Sequence, residues 1–192
     1  MRKARTVNIP DDRILDEKTY QELSDHAYKS ASWYISAYNK NSYEIKEKLL
    51  QKGFIDDEII VNHSSSETSY HNIIEETFKK LTDNYMLDDM DYVKEFIQSG
   101  INSGKSLNAL KTKLRNKKIP YQMIEEALND TSLDTDEADG LDRQASIISR
   151  SGSFQRLDEF KKKQTLVRRL VSKGFDMGDI YSWIDDNEES WK

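Results

Sequence analysis

The chain has 192 residues, a net charge of −6, 36% hydrophobic and 33% charged residues, and no cysteine. Hydrophobic content lies below the roughly 45–50% of an average globular domain and charge above the usual quarter, which favours thin helical units with much solvated surface over one thick core. No disulfide framework, thiolate nucleophile or Cys-held metal can be built, the basic start has no apolar h-region of a secretory signal, and no window approaches the roughly 18 apolar residues of a membrane span, so a soluble cytoplasmic protein is expected.

Residues 1–25 are a weakly specified lead-in, in which Val7, Ile9 and Ile14 suit a short strand or an irregular segment. Asp16 or Thr19 caps a first helix to about Asn39, with Tyr20, Leu23, Ala27, Ala31, Tyr34, Ile35 and Tyr38 on one face at steps of three and four. Ser42 is expected to cap a second helix with Ile45, Leu49 and Leu50 inward, ended by Gly53 as a left-handed terminator. A third helix is expected from Asp56, broken or ended by a polar loop at residues 62–72. Ile73, Ile74, Thr77, Phe78 and Leu81 then mark the next helix.

The sequence Leu87-Asp88-Asp89 opens a second unit, since Asp is a good N-cap, and Tyr92, Val93, Phe96 and Ile97 follow as a buried face. Ser106 caps a helix bearing Leu107, Leu110 and Leu114, and Pro120 suits the first turn of the next, whose inner face is Met123, Ile124, Ala127 and Leu128. Residues 131–141 are an acidic linker. Beyond it, Ala145, Ile147 and Ile148 form one stripe, Phe154, Leu157 and Phe160 another apolar set, and residues 187–192 a tail.

One template recurs through this order. Leu166, Leu170, Gly174, Phe175 and Ile180 repeat the frame of Ile45, Leu49, Gly53, Phe54 and Ile59, and of Leu110, Leu114, Lys118, Ile119 and Ile124. Internal repetition with little apolar surface per unit points to stacked units that bury successive faces. The expected fold is all-α: tandem three-helix repeats at residues 26–84, 85–130 and 142–186, stacked into an elongated, curved body.

Charge is segregated along this frame. Residues 105–118 hold six bases (Lys105, Lys111, Lys113, Arg115, Lys117 and Lys118) and no acid, whereas residues 125–142 hold eight acids and no base. Residues 143–174 hold nine bases, among them Lys161, Lys162, Lys163, Arg168, Arg169 and Lys173, against Asp158 and Glu159. The basic runs fall on the middle helices, so stacking is expected to align them as a basic face suited to a phosphate backbone or an acidic protein surface. Each lysine alone is as well explained by solvation of an exposed helix face.

The inventory argues against an enzyme. His63 and His71 flank a serine-rich loop without a carboxylate at ligand spacing, Asp83, Asp88, Asp89 and Asp91 lack the glycine and terminal Glu of a calcium loop, and no phosphate-binding glycine loop or nucleophile elbow is present. Most aromatics fall on inner faces, where packing explains them. Trp191, near the end, is expected to be exposed.

Ser42 with Leu49-Leu50-Gln51-Lys52-Gly53-Phe54, Leu87-Asp88-Asp89 with Tyr92 and Phe96, and above all residues 163–180, KQTLVRRLVSKGFDMGDI, together resemble the RecX family of RecA regulators over about residues 26–186. The resemblance implies tandem three-helix repeats, no cofactor, no membrane contact, and a non-enzymatic role. That role is binding of RecA protein and RecA filaments on single-stranded DNA, damping strand exchange, ATPase and coprotease activities. The twelve bases just named from Lys105 to Lys173 are the candidate RecA- and DNA-binding face, with weak direct DNA binding and a monomeric state expected. A stand-alone DNA-binding module and a helical adaptor for another protein remain the alternatives. Three departures stand out: relatives often carry a longer N-terminal region, so residues 1–25 are expected as a shortened start, residues 62–72 look inserted, and Lys118-Ile119 replaces Gly-Phe in the second unit.

Overall fold

The computed structural model describes residues 7–130 and 138–191. Its contacts divide the chain into two compact units, residues 1–92 and 93–192, with the division falling inside one helix.

In the first unit, β1 (Ile14–Asp16) leads into α1 (Glu17–Tyr38), followed by α2 (Ser42–Gln51), β2 (Ile59–Asn62), β3 (Thr68–His71) and α3 (Ile73–Asp83). α1 starts where Asp16 accepts from the Thr19 backbone N–H at 2.9 Å. α2 is capped one residue earlier than expected: Asn41, fully buried, accepts from Glu44 N–H at 2.8 Å. Ser42 is instead the first helical residue, and its N–H and hydroxyl both donate to Asp89. Ala27, Ala31, Ile45, Leu49, Phe54, Ile73, Ile74 and Leu81 pack with Ile59 and Val61 as the core of this unit.

The helix expected from Asp56 is not formed, and the fold is not purely α-helical. Residues 59–71 are a β-hairpin, with β2 antiparallel to β3 and parallel to β1. The run Ile59-Ile60-Val61 explains this, because β-branched side chains lose χ1 freedom in a helix and fit a pleated strand. Ile59 and Val61 alternate inward and are fully buried. The polar stretch supplies the turn: His63 N–H donates to Glu67 O at 2.9 Å, Ser66 N–H to His63 O at 3.0 Å, and Ser66 takes φ +66°.

The two histidines, expected as loose loop residues, clasp this hairpin to the helices. Ser69 Oγ lies 2.7 Å from Nε2 of both His63 and His71. His71 Nδ1 meets Glu76 of α3 at 2.7 Å, and Tyr20 of α1 donates its hydroxyl to the other Glu76 oxygen at 2.5 Å. Burial would raise the Glu76 carboxyl, but the bonds from Tyr20 and His71 outweigh it and hold the group below its ordinary value. Burial and the Glu76 charge push the Tyr20 phenol up, so it stays a donor.

The second unit holds most of α4 (Asp89–Asn102), then α5 (Leu107–Asn116), α6 (Tyr121–Leu128), α7 (Ala138–Ser149), the short α8 (Gly152–Gln155), α9 (Glu159–Ser172), α10 (Met177–Asp186) and α11 (Glu188–Trp191). Asp88 caps α4 by accepting from Met90 N–H at 2.8 Å and Asp91 N–H at 3.1 Å. Val93, Ile97, Ile101, Leu110, Leu114, Ile119, Ile124 and Ala127 are buried along α4 to α6. A Cβ at Gly100 would sit 2.2 Å from Leu110, so α4 and α5 cross on that glycine. Leu141, Ala145, Ile148, Phe154, Leu166, Leu170, Phe175, Ile180, Trp183 and Ile184 form the core of α7 to α10. Of the expected acidic linker, residues 131–137 lie outside the described residues, and residues 138–141 form the first turn of α7. The expected tail folds back: Trp191 is buried, and its indole N–H donates to Ile184 O at 2.9 Å. A large ring that can bury its face and satisfy its one donor stays in the core.

The template of the sequence is a helix terminator. At the ends of α2, α5 and α9, Gly53 (φ +94°), Lys118 (φ +62°) and Gly174 (φ +90°) are left-handed. In each, the next residue returns its N–H to the leucine five back: Phe54 to Leu49 at 3.2 Å, Ile119 to Leu114 at 3.1 Å, and Phe175 to Leu170 at 3.3 Å. The left-handed residue itself donates three back, to Leu50, Arg115 and Val171. These are Schellman motifs, whose apolar C″ residue packs back on the helix. Phe54, Ile119 and Phe175 are all buried.

The helix terminators and the Glu76 clasp carry three stability predictions. A lysine in the left-handed region costs about 1 kcal/mol, so Lys118→Gly should raise the unfolding free energy by about that amount. Gly174→Ala should lower it by more, because its Cβ would also meet Ser106 Oγ at 2.6 Å; urea unfolding of both variants measures the signs. Glu76→Gln should cost about 1 kcal/mol at pH 7, a modest value because the site is partly solvated. Because the folded carboxyl lies below its ordinary 4.5, its contribution is present above that pH and is lost as pH falls through the lowered value. The gap between Glu76→Gln and the parent should therefore close in acid unfolding titrations.

Candidate functional site: the basic helices of the second unit

α5 and α9 carry the twelve candidate bases, and the structure joins the two helices end to end. Ser106, the buried N-cap of α5, accepts from Ala109 N–H at 3.2 Å and donates its hydroxyl to the carbonyl of Lys173, the C-cap of α9, at 2.9 Å. Gly174 permits this approach, since any Cβ there would strike Ser106 and Ala109. The Lys173 carbonyl at the C-terminus of α9 is thus bonded by the side chain that caps the N-terminus of α5. Lys105, next to Ser106 in the chain, and Lys173 both have their backbones at the junction. Arg168 and Arg169 lie one turn back along α9, and Lys113, Arg115, Lys117 and Lys118 lie toward the far end of α5, roughly 15 Å away for ten residues of helix.

The bases differ in availability. Lys105, Lys113, Arg115, Lys118, Arg168 and Lys173 are exposed, and Arg169 is half-buried. None of these seven has an ion pair among the described residues. Lys117 is half-buried. Lys111 is held by Glu125 of α6 at 2.9 Å. Lys161 is held by Asp158, the N-cap of α9, at 2.8 Å. That pairing lowers the Asp158 carboxyl and raises the Lys161 ammonium. Lys163 reaches Asp185 of α10 at 3.6 Å and lies 5.8 Å from the Tyr181 ring centroid. Lys162 does not belong to an exposed face. It is 6% exposed, with its ammonium 5.9 Å from the centroid of the Phe154 ring. Its place in the sequence explains this, because residues 162, 166 and 170 share one helix stripe, and that stripe is the buried one. A long aliphatic stem can line a core while its charge meets an aromatic face.

Another feature of this face escaped the sequence reading. Phe160, expected inside, is 72% exposed, and Val171, Met177 and Tyr181 are 42%, 51% and 41% exposed. With Lys163, Gln164, Val167 and Arg168 they line an open groove of about 710 Å³ between α9 and α10. Helical spacing placed Phe160 in an apolar set with Leu157, but α9 begins at Glu159. Phe160 is therefore set by the phase of α9 rather than by that of the preceding turn, and it turns away from the Leu166–Leu170 stripe.

Among the described residues there is no cluster of His, Asp or Glu fit to hold a metal ion, and no helix long and apolar enough to cross a membrane. Ser69, His71 and Glu76 line up in the manner of a nucleophile, base and carboxylate. The Ser69 hydroxyl, however, is engaged by an imidazole on each side, which makes the chain of bonds a structural clasp.

No family model matches the chain. Over 147 residues, 76% of its length, it is 29% identical to "Regulatory protein RecX" of Lactococcus lactis subsp. cremoris strain MG1363, and to the same degree to that of strain SK11. In both cases the match covers 49% of the relative, so the chain spans about half the length of the curated relatives it matches. Two crystal structures share the fold. "Crystal structure of RecX from Lactobacillus salivarius" superposes with a TM-score of 0.65 at 19% identity, covering 88% of this chain and 98% of that one. "Crystal structure of regulatory protein RecX" superposes with a TM-score of 0.62 at 22% identity, covering 90% and 78%. The likeness to the RecX family first seen in its capped basic helices is thus present both in the curated sequences it matches and in the fold they accompany.

Proposed function

We propose that this chain is a non-enzymatic regulator that binds the RecA recombinase and its filament on single-stranded DNA and inhibits recombination, ATPase and coprotease activity. The observation that carries this reading is the contact between the end of α9 and the start of α5 through Ser106 and Lys173, because Lys105, Lys113, Arg115, Lys118, Arg168, Arg169 and Lys173 lie on or beside these two helices. A row of cations on rigid elements suits the acidic surface of a nucleoprotein filament. The likeness to RecX supplies the partner. The three left-handed terminators of α2, α5 and α9 mark, in this proposal, equivalent positions in tandem helical repeats. RecA acts on DNA, which makes the cytoplasm the working compartment.

With the seven bases as the contact, Lys161, Lys162 and Lys163 contribute little to binding, because Lys162 is buried and Lys161 and Lys163 are paired with Asp158 and Asp185. Changing Arg168, Arg169 and Lys173 together to glutamate should lower inhibition of the DNA-dependent ATPase of RecA by about tenfold or more, with helicity retained. Lys162→Met, which keeps the buried stem without the charge, should leave inhibition unchanged. Unaltered inhibition by the triple variant would remove this face from the contact. Tight binding to bare single-stranded DNA, with a log–log salt slope of about −0.7 per phosphate contact, would favour a stand-alone DNA-binding module instead. The net charge of −6 makes that the weaker reading.

A further inference from the structure

The exposed apolar groove between α9 and α10 has no role in a purely electrostatic contact. Phe160, Val167, Val171, Met177 and Tyr181 are brought together in one open groove, which gives a partner segment a shaped apolar surface to enter. Its long walls come from two α-helices of the second unit, joined by the Schellman turn at Gly174 and held from beneath by Leu166, Leu170, Phe175 and Ile180, so the groove is preformed. Its charged lining is Lys163 and Arg168, and among the described residues no carboxylate lines it. Lys163 is tied back toward Asp185, whereas Arg168 is exposed.

We infer that this groove receives a protein segment that presents apolar side chains with a carboxylate beside them, an acidic amphipathic helix of the partner. The inference rests on the proposed RecA reading and names which part of the contact anchors it. Val167, Val171 and Met177 line the groove with aliphatic and thioether side chains that suit apolar groups laid down at helical spacing. Phe160 and Tyr181 add the aromatic groups that dominate such contacts. The absence of acids from the lining makes a carboxylate-bearing segment the complementary occupant, with Arg168 as its counter-charge. Nucleic acid fits less well. Bases stack on aromatic platforms, and here three of the five apolar lining residues, Val167, Val171 and Met177, are not aromatic.

The test uses the full chain with RecA bound to single-stranded DNA, and two variants. Phe160→Ala with Met177→Ala opens the groove, and both side chains are exposed enough for the fold to survive, which circular dichroism and the unfolding midpoint check. Lys113, Arg115 and Lys118 changed to glutamate alters the α5 bases and leaves the groove intact. The groove variant should bind the filament about tenfold more weakly. A photo-cross-linking amino acid at position 160 should label an acid-rich peptide of the RecA protein, identified by mass spectrometry. Undiminished binding by the groove variant, while the α5 variant is weakened, would overturn the groove and leave the RecA reading standing. Labelling of DNA, or of this chain's own residues, would overturn the choice of occupant. If the unaltered chain does not bind the filament at all, the RecA reading falls and the groove's assignment with it.

Discussion

The left-handed helix terminus is the constraint on which the rest of this structure depends. An L-residue enters that backbone region at a cost, and glycine enters it with little. Once the turn is made, two otherwise unpaired carbonyls are satisfied, and the next apolar side chain is swung back onto the helix it follows. Phe54, Ile119 and Phe175 reach their cores in this way. At Gly174 the same device does more. Removing the Cβ lets Ser106 come within bonding distance of the last carbonyl of α9, and so lets one basic helix begin where another ends. The cationic row is thus a by-product of a packing solution.

The same economy sets the chemistry of the surface. Residues 162, 166 and 170 must face inward once α9 is phased by its Asp158 cap, and a lysine at the first of them is buried with the leucines. That phase puts Phe160 and Val171 outside, beside Arg168. Basic and apolar groups therefore share one exposed face, and the proposed contact draws on both. Electrostatics raises the rate of encounter, and a buried aromatic anchor slows dissociation. The first unit has a different emphasis: its hairpin is clasped by the Tyr20, Glu76, His71, Ser69 and His63 chain, which uses its polar groups internally.

Much of this was open to a reader of the sequence. Leucines four apart followed by Gly-Phe specify an amphipathic helix and its end, and Ser106 and the Asp88-Asp89 pair announce the starts of α5 and α4. The segregation of bases onto two stretches is a property of the chain itself. Because helix period and capping are local, with each signal decided within about one turn, these features needed no knowledge of distant residues. Even Lys118, which breaks the glycine pattern, follows the frame, since its neighbours Leu114 and Ile119 dictate the turn.

What the tertiary structure decided is where local signals conflict or run short. Ile59-Ile60-Val61 follows a helix terminator as the later copies do, yet it forms a strand, because β1 lies alongside to pair with it. His63 and His71 gain partners only when the hairpin brings them to opposite sides of Ser69. Trp191 finds Ile184 by folding back, and Lys162 finds Phe154 across a turn. Each depends on a pairing between residues that are not neighbours in sequence, or on a helix phase that shifts when its cap moves by one residue. The chain alone determined the capped amphipathic helices, where they stop and how charge is distributed along them, but not the hairpin at residues 59–71. The tertiary fold decided which of those charges are spent inside and which apolar groups are left facing water, because burial is settled by what packs against a residue.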